Sequence, residues 1–304
     1  MITVVGSINL DLIASVDRLP GAGETLRSGG FTTAPGGKGA NQALAAARAG
    51  GDVRMIGAVG KDGFASEALA CLKEGKVQLS GVREAAAATG IALIFVDAQG
   101  ENVIVVAPGA NDTVLAGDLA KARFSKGEVV LLQHEIPLAT VEATISAVAE
   151  AGGTSVLNTA PFRAEAAYLL PMADYVVANE TEFDLYADAL KLEGADRRIR
   201  MADFAKKTGR TVVVTLGADG VIAATPDGGF AAVPALPVTP VDTVGAGDTF
   251  CGYFGAGLAV GLPLEQALRR AAAAGSLACL KPGAQPAIPH GKDVDAALAE
   301  SVAR

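Results

Sequence analysis

The chain has 304 residues, 50% of them hydrophobic, and carries 25 Lys and Arg against 33 Asp and Glu, a net charge of -8. That length and apolar content suit one large α/β domain or two small ones, and the acidic balance argues against a nucleic-acid partner, which would leave a basic stripe. Cys71, Cys251 and Cys279 show neither zinc spacing nor a disulfide framework, and His134 and His290 alone give little support to a His-rich metal centre or to Ser–His–Asp hydrolysis.

Residues 1–6 lack a basic leader and Asp11 interrupts the apolar run, so no secretion signal is expected and a reducing cytoplasm is the expected compartment. From there, short Val/Ile/Leu runs alternate with longer helical patterns, the signature of a mainly parallel sheet wrapped by helices. Strands are predicted over 3–6, 53–58, 128–132, 154–158, 174–177 and 211–216. Several are apolar on successive residues, which fits burial on both faces. Leu138, Val141, Ile145 and Val148 trace one helical face, and Leu264, Leu268, Ala271 and Ala278 another. The longest apolar stretch, 249–262, is short and rich in glycine, too short to cross a bilayer. No linker or repeat divides the chain, so a single domain over 1–304 is expected.

Two regions break the alternation. Residues 11–35 are extended and turn-rich, with Pro20-Gly21 and Gly29-Gly30. The second is a hairpin, 91–96 and 102–106, joined through Asp97-Ala98-Gln99-Gly100. Its strands are apolar on both faces, whereas a hairpin wetted on one side should alternate. One face is therefore expected to cover a ligand cleft and the other to meet a second subunit; burial within its own domain is the alternative.

In an open α/β sheet, ligands bind beyond the carboxyl ends of the strands. The polar residues just past the predicted strands are Ser7, Asn9 and Asp11, then Glu135, Asn158, Asn179 with Glu182, and Thr215 with Gly217 beside it. Together they would ring one rim with carboxylates and amides, suited to a polyhydroxylated ligand and a metal-bound phosphate. Two glycine-rich helix entries add to this rim. In the first, Pro35-Gly36-Gly37-Lys38-Gly39-Ala40-Asn41-Gln42-Ala43, Lys38 could neutralise a phosphate or bond a sugar oxygen, and Asn41 offers donor and acceptor to a hydroxyl. A flexible turn with a solvated lysine is the plainer reading. The second, Asp242-Thr243-Val244-Gly245-Ala246-Gly247-Asp248-Thr249-Phe250, runs into a long apolar helix. Helix N-termini carry unpaired N–H donors and partial positive charge, and glycines let those amides come close to an anion. Asp248 beside such an anion is placed to deprotonate a hydroxyl, the pairing that phosphoryl transfer to an alcohol needs. An acid at the start of an ordinary helix is the alternative. No Walker A motif and no strand-linked G-x-G-x-x-G is present, and Gly255-Ala256-Gly257 sits in a helical run where close packing explains it.

These segments, with Gly6-Ser7-Ile8-Asn9-Leu10-Asp11, Pro20-Gly21-Ala22-Gly23-Glu24-Thr25, TGIALIFV from Thr89, Gly100-Glu101-Asn102-Val103-Ile104, Asn179-Glu180-Thr181-Glu182 and Gly283-Ala284-Gln285-Pro286, resemble the ribokinase family, the phosphofructokinase-B-like carbohydrate kinases, nearly end to end. The resemblance implies a ribokinase-like (Rossmann-like) three-layer α/β/α fold with a small β-sheet lid built from about 11–35 and 88–108. It implies an ATP-dependent sugar kinase, with D-ribose the expected acceptor and 2-keto-3-deoxygluconate, fructose or a nucleoside such as adenosine the alternatives. Asp248 would be the general base, and Gly245, Ala246 and Gly247 the anion hole. Sugar contacts carry over to Asn9, Asp11, Gly37, Lys38, Asn41, Glu135 and Asp248, and ATP contacts to Asn179, Thr215, Gly217 and Gly220. Glu182 matches the acid that organises Mg²⁺ through water, although an ordinary acid in a helix's first turn would read the same. Asp242, Val244, Ala278, Lys281, Gly283 and Ala287 match the K⁺ site, mostly through backbone carbonyls. A homodimer through the lid hairpin is expected. The chain departs from the family pattern at Ala287, where a serine often supplies a hydroxyl to the cation, and at Ala272, often Asn or His near the adenine. From other classes, a sugar-binding sensor without turnover and a nicotinamide dehydrogenase remain open, the latter lacking the dinucleotide fingerprint.

Overall fold

The computed structural model describes residues 1–119 and 122–302. Thirteen strands form two sheets among the described residues. The strands are β1 (Ile2–Val5), β2 (Asn9–Ser15), β3 (Gly30–Gly36), β4 (Val53–Gly60), β5 (Gln78–Ala85), β6 (Gly90–Val96), β7 (Asn102–Ala107), β8 (Val129–Leu132), β9 (Thr154–Asn158), β10 (Tyr175–Asn179), β11 (Thr211–Thr215), β12 (Val221–Ala224) and β13 (Phe230–Val233). The large sheet has nine strands in the order β13-β12-β11-β10-β9-β8-β1-β4-β5, parallel from β5 through β11 and closed at one edge by the antiparallel β12 and β13.

The helices, in chain order, are α1 (Lys38–Arg48), α2 (Gly63–Ala68), α3 (Ala70–Glu74), α4 (Ala116–Leu119), α5 (Leu138–Ala151), α6 (Glu180–Ala189), α7 (Arg197–Thr208), α8 (Ala246–Ala259), α9 (Leu264–Ala278) and α10 (Gly291–Val302). Successive strand residues point to opposite faces, and the core follows that alternation. Val4, Leu131, Val156, Val177 and Val213 pack with Phe250, Phe254 and the alanines of α1 and α9. Their neighbours Val5, Leu132, Leu157, Ala178 and Val214 pack with Val141, Ile145, Phe183 and Phe204 of α5, α6 and α7. Burial on both faces is the reason these strands read as unbroken apolar runs.

Helix α8 lies against α1 and the sheet with no room to spare. A Cβ on Gly252 would stand 2.5 Å from Ala45 Cβ, and one on Gly255 2.6 Å from a Leu131 methyl. The Gly255-Ala256-Gly257 run is therefore a packing feature, as its helical setting implies. No helix among the described residues is long and apolar enough to cross a membrane.

The four-stranded second sheet, β3-β2-β6-β7, stands on the carboxyl-end side of β1, from which the chain enters β2 after three residues. Residues 11–35 are more regular than their turn-rich composition suggests: β2 begins already at Asn9 and pairs antiparallel with β3 across a loop at 16–29, and parallel with β6. The predicted hairpin is β6 and β7. In β6, Ala92 and Ile94 are buried, but every residue of β7 is exposed, including Val103, Ile104, Val105 and Val106 at 44–53%.

Candidate active site

The parallel strands deliver their carboxyl ends to the edge where α1, α6 and α8 begin, and the predicted polar residues gather there. At α1 the chain turns through Gly37, which has φ 88° and would place a Cβ 2.7 Å from Asn9 N; only glycine meets both demands. The orphan amides of the first helical turn then find partners on neighbouring segments. Ala40 N donates to Ser7 O at 2.9 Å, Gly39 N to Ser7 Oγ at 3.2 Å, and Lys38 N to Glu135 Oε2 at 3.1 Å. Ser7 Oγ in turn donates to the same Glu135 oxygen at 2.5 Å. Glu135, expected as a sugar contact, thus also anchors a helix N-terminus, where a carboxylate complements the dipole.

Asp11 lies on β2 over the backbone of Gly36, where any Cβ would stand within 2.5 Å of its carboxylate. Burial first, then the charges of Glu135 and Asp248, push its pKa up to about 7, with Lys38 pulling the other way. Burial would lower Lys38, but Asp248, Glu135 and Glu182 around its ammonium outweigh that and raise it. One lysine therefore serves several carboxylates, a net negative site awaiting donors.

At α8 the entry residue Gly245 has φ 77°, and a Cβ there would stand 2.8 Å from Ala284 Cβ. Gly247 is the reverse case: no atom lies within 4 Å of where its Cβ would be, so an approaching group can reach the backbone. Asp248 lies next to it in the first turn, 7% exposed, with Oδ2 accepting from Asn41 Nδ2 at 2.9 Å and Oδ1 from Gln42 Nε2 at 3.0 Å. The cleft is lined by Lys38, Gly245, Gly247 and Asp248 on one side and Asn179, Glu182 and Thr215 on the other. Gly217 and Gly220 bracket the next turn without lining it; Gly220 has φ 97° and a Cβ there would stand 2.1 Å from Val233 O, so it packs against the end of β13.

Asn179 caps α6, accepting from Glu182 N at 2.8 Å, while Glu182 Oε2 accepts from Asn179 N at 3.2 Å and from Thr159 Oγ1 at 3.1 Å. This is a capping box, so both residues hold the helix start as well as facing the cleft. Asp242 ties two loops together: Oδ1 accepts from Val244 N at 3.0 Å and Oδ2 from Gly283 N at 2.8 Å. The segments carrying Val244, Gly283, Lys281 and the buried Ala278 and Ala287 are thereby brought side by side. Ala272 is buried on α9. Among the described residues no group of three or more His, Cys, Asp or Glu could hold a metal ion. His134 lies behind the site against Tyr186, held to about 4 by burial and so uncharged at neutral pH.

Three residues here have no counterpart in the predicted set. Asn111 donates from Nδ2 to Asn9 Oδ1 at 2.7 Å and accepts at Oδ1 from Ile8 N at 2.9 Å, which turns the Asn9 amide so that its own NH₂ is left to donate. Gln42 holds Asp248, and Gln133 Nε2 donates to Gln42 Oε1 at 2.7 Å. The one signal for them in the sequence is position: Gln42 adjoins Asn41 in the glycine-rich entry, and Gln133 is a polar residue directly after an all-apolar strand.

The chain and its fold are similar to known proteins. The chain is 38% identical over 303 residues to the ribokinase of Lactococcus lactis, covering 98% of this chain and 97% of that one. Its fold matches the crystal structure of a ribokinase from Thermotoga maritima at a TM-score of 0.87 and 31% identity, covering 98% and 99% of the two chains. It matches an Arabidopsis thaliana ribokinase complexed with ribose and ATP at 0.85 and 30%, covering 98% of each. The pfkB family carbohydrate kinase model matches residues 1–291, a span that takes in both sheets and both glycine-rich helix entries. By fold, by whole-length similarity and by family match, this chain belongs to the pfkB family of carbohydrate kinases, as a relative of the ribokinases.

Proposed function

We propose that the protein transfers the γ-phosphoryl group of ATP to the primary hydroxyl of D-ribose, giving D-ribose 5-phosphate and ADP. The observation that carries this reading is Asp248: a buried carboxylate, held through both oxygens, in the first turn of a helix whose glycine entry is open to an anion. In this reading Asp248 accepts the hydroxyl proton while the sugar oxygen bonds to the γ-phosphorus. The bond from that phosphorus to the bridging oxygen breaks, and ADP leaves with the electron pair. The amides of Gly245 and Gly247 would face the developing negative charge, with Ala246 N joining them on release from its 3.3 Å bond to Thr243 O; preorganised donors act most strongly there. Asp11, Glu135, Asn9, Asn41, Gly37 and Lys38 hold the sugar and Asn179 and Thr215 the nucleotide, with Gly217 and Gly220 in the turn just beyond the cleft shaping its outer end. Whole-length similarity to ribokinases, one of them complexed with ribose and ATP, supports the choice of substrates.

The donor sets fit the ions of the resemblance. Glu182 lines the cleft with both of its hydrogen bonds on Oε2, and a single carboxylate beside phosphates is how Mg²⁺, which keeps most of its water, is usually bound. Held there, the ion would neutralise charge on the phosphates. K⁺ takes backbone carbonyls in place of water, and Asp242 ties together the loops that carry Val244, Ala278, Lys281, Gly283 and Ala287. Ala287 has no hydroxyl to add, so it can offer only its carbonyl.

The test is an ADP-release assay over an acceptor panel, with and without K⁺. Ribose is expected to give the highest kcat/KM. An equal or better value for adenosine, fructose or 2-keto-3-deoxygluconate would overturn the acceptor and leave phosphoryl transfer standing. Binding of ribose with no ADP formed would overturn the enzyme reading itself.

The small sheet acts as a lid over the sugar, excluding water that would otherwise take the phosphoryl group. Its outer strand, β7, presents four consecutive apolar residues at 44–53% exposure, a strip that in a monomer invites pairing with another chain. A second copy of the lid covers it in this reading. Sedimentation at micromolar concentration is expected to show a dimer, and Val105→Asp to release monomers; a wild-type monomer would remove the interface.

A further inference from the structure

The two amides that hold Asp248 are not equivalent. Asn41 gives Nδ2 to the carboxylate and keeps Oδ1 buried and without a partner in the chain, so half of its side chain remains for a ligand hydroxyl. Gln42, fully buried, spends every polar atom on the protein. Its Nε2 donates to Asp248 Oδ1 at 3.0 Å and to Asn158 Oδ1 at 3.2 Å, and its Oε1 accepts from Gln133 Nε2 at 2.7 Å.

The direction of this chain of amides is set by the backbone. Asn158 Nδ2 donates to Val177 O at 3.2 Å, which turns Asn158 Oδ1 towards Gln42. Facing that acceptor on one side and a carboxylate on the other, Gln42 must present its NH₂ to both. A flipped Gln42 would set its oxygen against two acceptors and leave the Gln133 amide opposing a donor. One carbonyl of β10 thus determines that the carboxylate of α8 always meets an N–H.

Resting on the reading of Asp248 as the base, we propose that Gln42 is a positioning residue for phosphoryl transfer, its orientation-locked amide donating to the Asp248 carboxylate and holding it in one rotamer at the acceptor hydroxyl. Asp248 is buried, with the Asp11 carboxyl and the Lys38 ammonium within electrostatic range. A hydrogen bond donated to a carboxylate favours its charged form, and Gln42, fully buried, supplies one from inside the protein.

The experiment is the single-turnover phosphoryl-transfer rate as a function of pH, with both substrates saturating so that titration of Asp11 in the free protein does not enter. Gln42→Met keeps the volume and removes the donor. It is expected to lower the rate at neutral pH by about 10-fold and to move the acidic limb upward by about one pH unit, with sugar KM within about threefold. Gln133→Met disturbs the same core but leaves the Gln42 to Asp248 bond, and is expected to lower Tm without moving the limb. Should Gln42→Met fail to fold, the isosteric Gln42→Glu gives the same reading, its carboxyl moving the limb upward further. An unmoved limb with a rate within twofold of wild type in a folded Gln42 variant overturns the positioning role, as does a Gln133→Met limb displaced just as far. Asp248→Asn run alongside separates the two levels: retained turnover there refutes the base itself, whereas loss of turnover with an unmoved Gln42 limb refutes only the positioning.

Discussion

Asp248→Asn is expected to lower kcat by at least about 10²-fold while leaving the sugar KM within a few-fold of wild type, because positioned general-base help is typically worth ~10²–10⁴. The substitution keeps shape, and Asn Oδ1 can still accept from one of the two amides that hold Asp248 at 2.9 and 3.0 Å. What it removes is the ability to take a proton. The proposed anion hole at Gly245–Gly247 is left in place, so residual activity is expected to exceed that of a variant with the hole blocked. Gly247, with no atom within 4 Å of its Cβ position, is the place to block it. Near-normal kcat in Asp248→Asn would show that the proton leaves by another route.

The second large effect is at Asp11, where function and stability should move in opposite directions. Asp11→Asn is expected to reduce kcat/KM for the sugar by at least about 10²-fold, since each hydrogen bond to a charged group is worth roughly 1.5–3 kcal/mol and a sugar diol can make two. The same change should raise Tm. An ordinary aspartate titrates near 3.8, whereas burial, then Glu135 and Asp248, raise folded Asp11 to about 7. Between those values the folded protein holds a proton that the unfolded chain has released. The stability this group contributes is therefore present below about 4 and lost as pH rises through about 7. Asparagine carries no such loss, so the Tm advantage of the variant should grow from pH 5 to pH 8. Thermal melts of ligand-free protein at both pH values check this; an advantage independent of pH would remove the electrostatic explanation.

The sequence makes some of this legible and hides the rest for physical reasons. The strands at 154–158 and 211–215 stand out because burial on both faces leaves no polar interruption. β5 escapes the pattern because it is an edge strand paired only to β4, and its polar residues Gln78, Ser80, Arg83 and Glu84 break the apolar run. β12 and β13 are four residues each at the other edge, with two alanines apiece. The region 11–35 reads as turn-rich because Pro20-Gly21 and Gly29-Gly30 punctuate the connection from β2 to β3, and Asn9 and Asp11 interrupt the apolar run of β2. Asn9 and Asp11, and Glu135, Asn179 and Asp248, are legible because they come directly after strands or glycine-rich entries. Gln42 and Gln133 hold such positions too, but their role does not show locally, since they bond to other side chains and the two stand 91 residues apart. The Asn179-x-x-Glu182 spacing is a local capping-box signal, whereas local sequence does not tell that Gly220 is fixed by Val233 O.

The contact between Gly252 and Ala45, too tight for a methyl group, has a kinetic corollary. Helix α1 brings Lys38, Asn41 and Gln42, and helix α8 brings the glycine entry and Asp248; packed this closely, the two helices carry these groups as one unit. Nothing of the reacting geometry then has to be rebuilt for each sugar that arrives. With the small sheet acting as the proposed lid, variants in β3 or β7 are expected to alter how fast molecules come and go while leaving the rate of the bond exchange itself untouched.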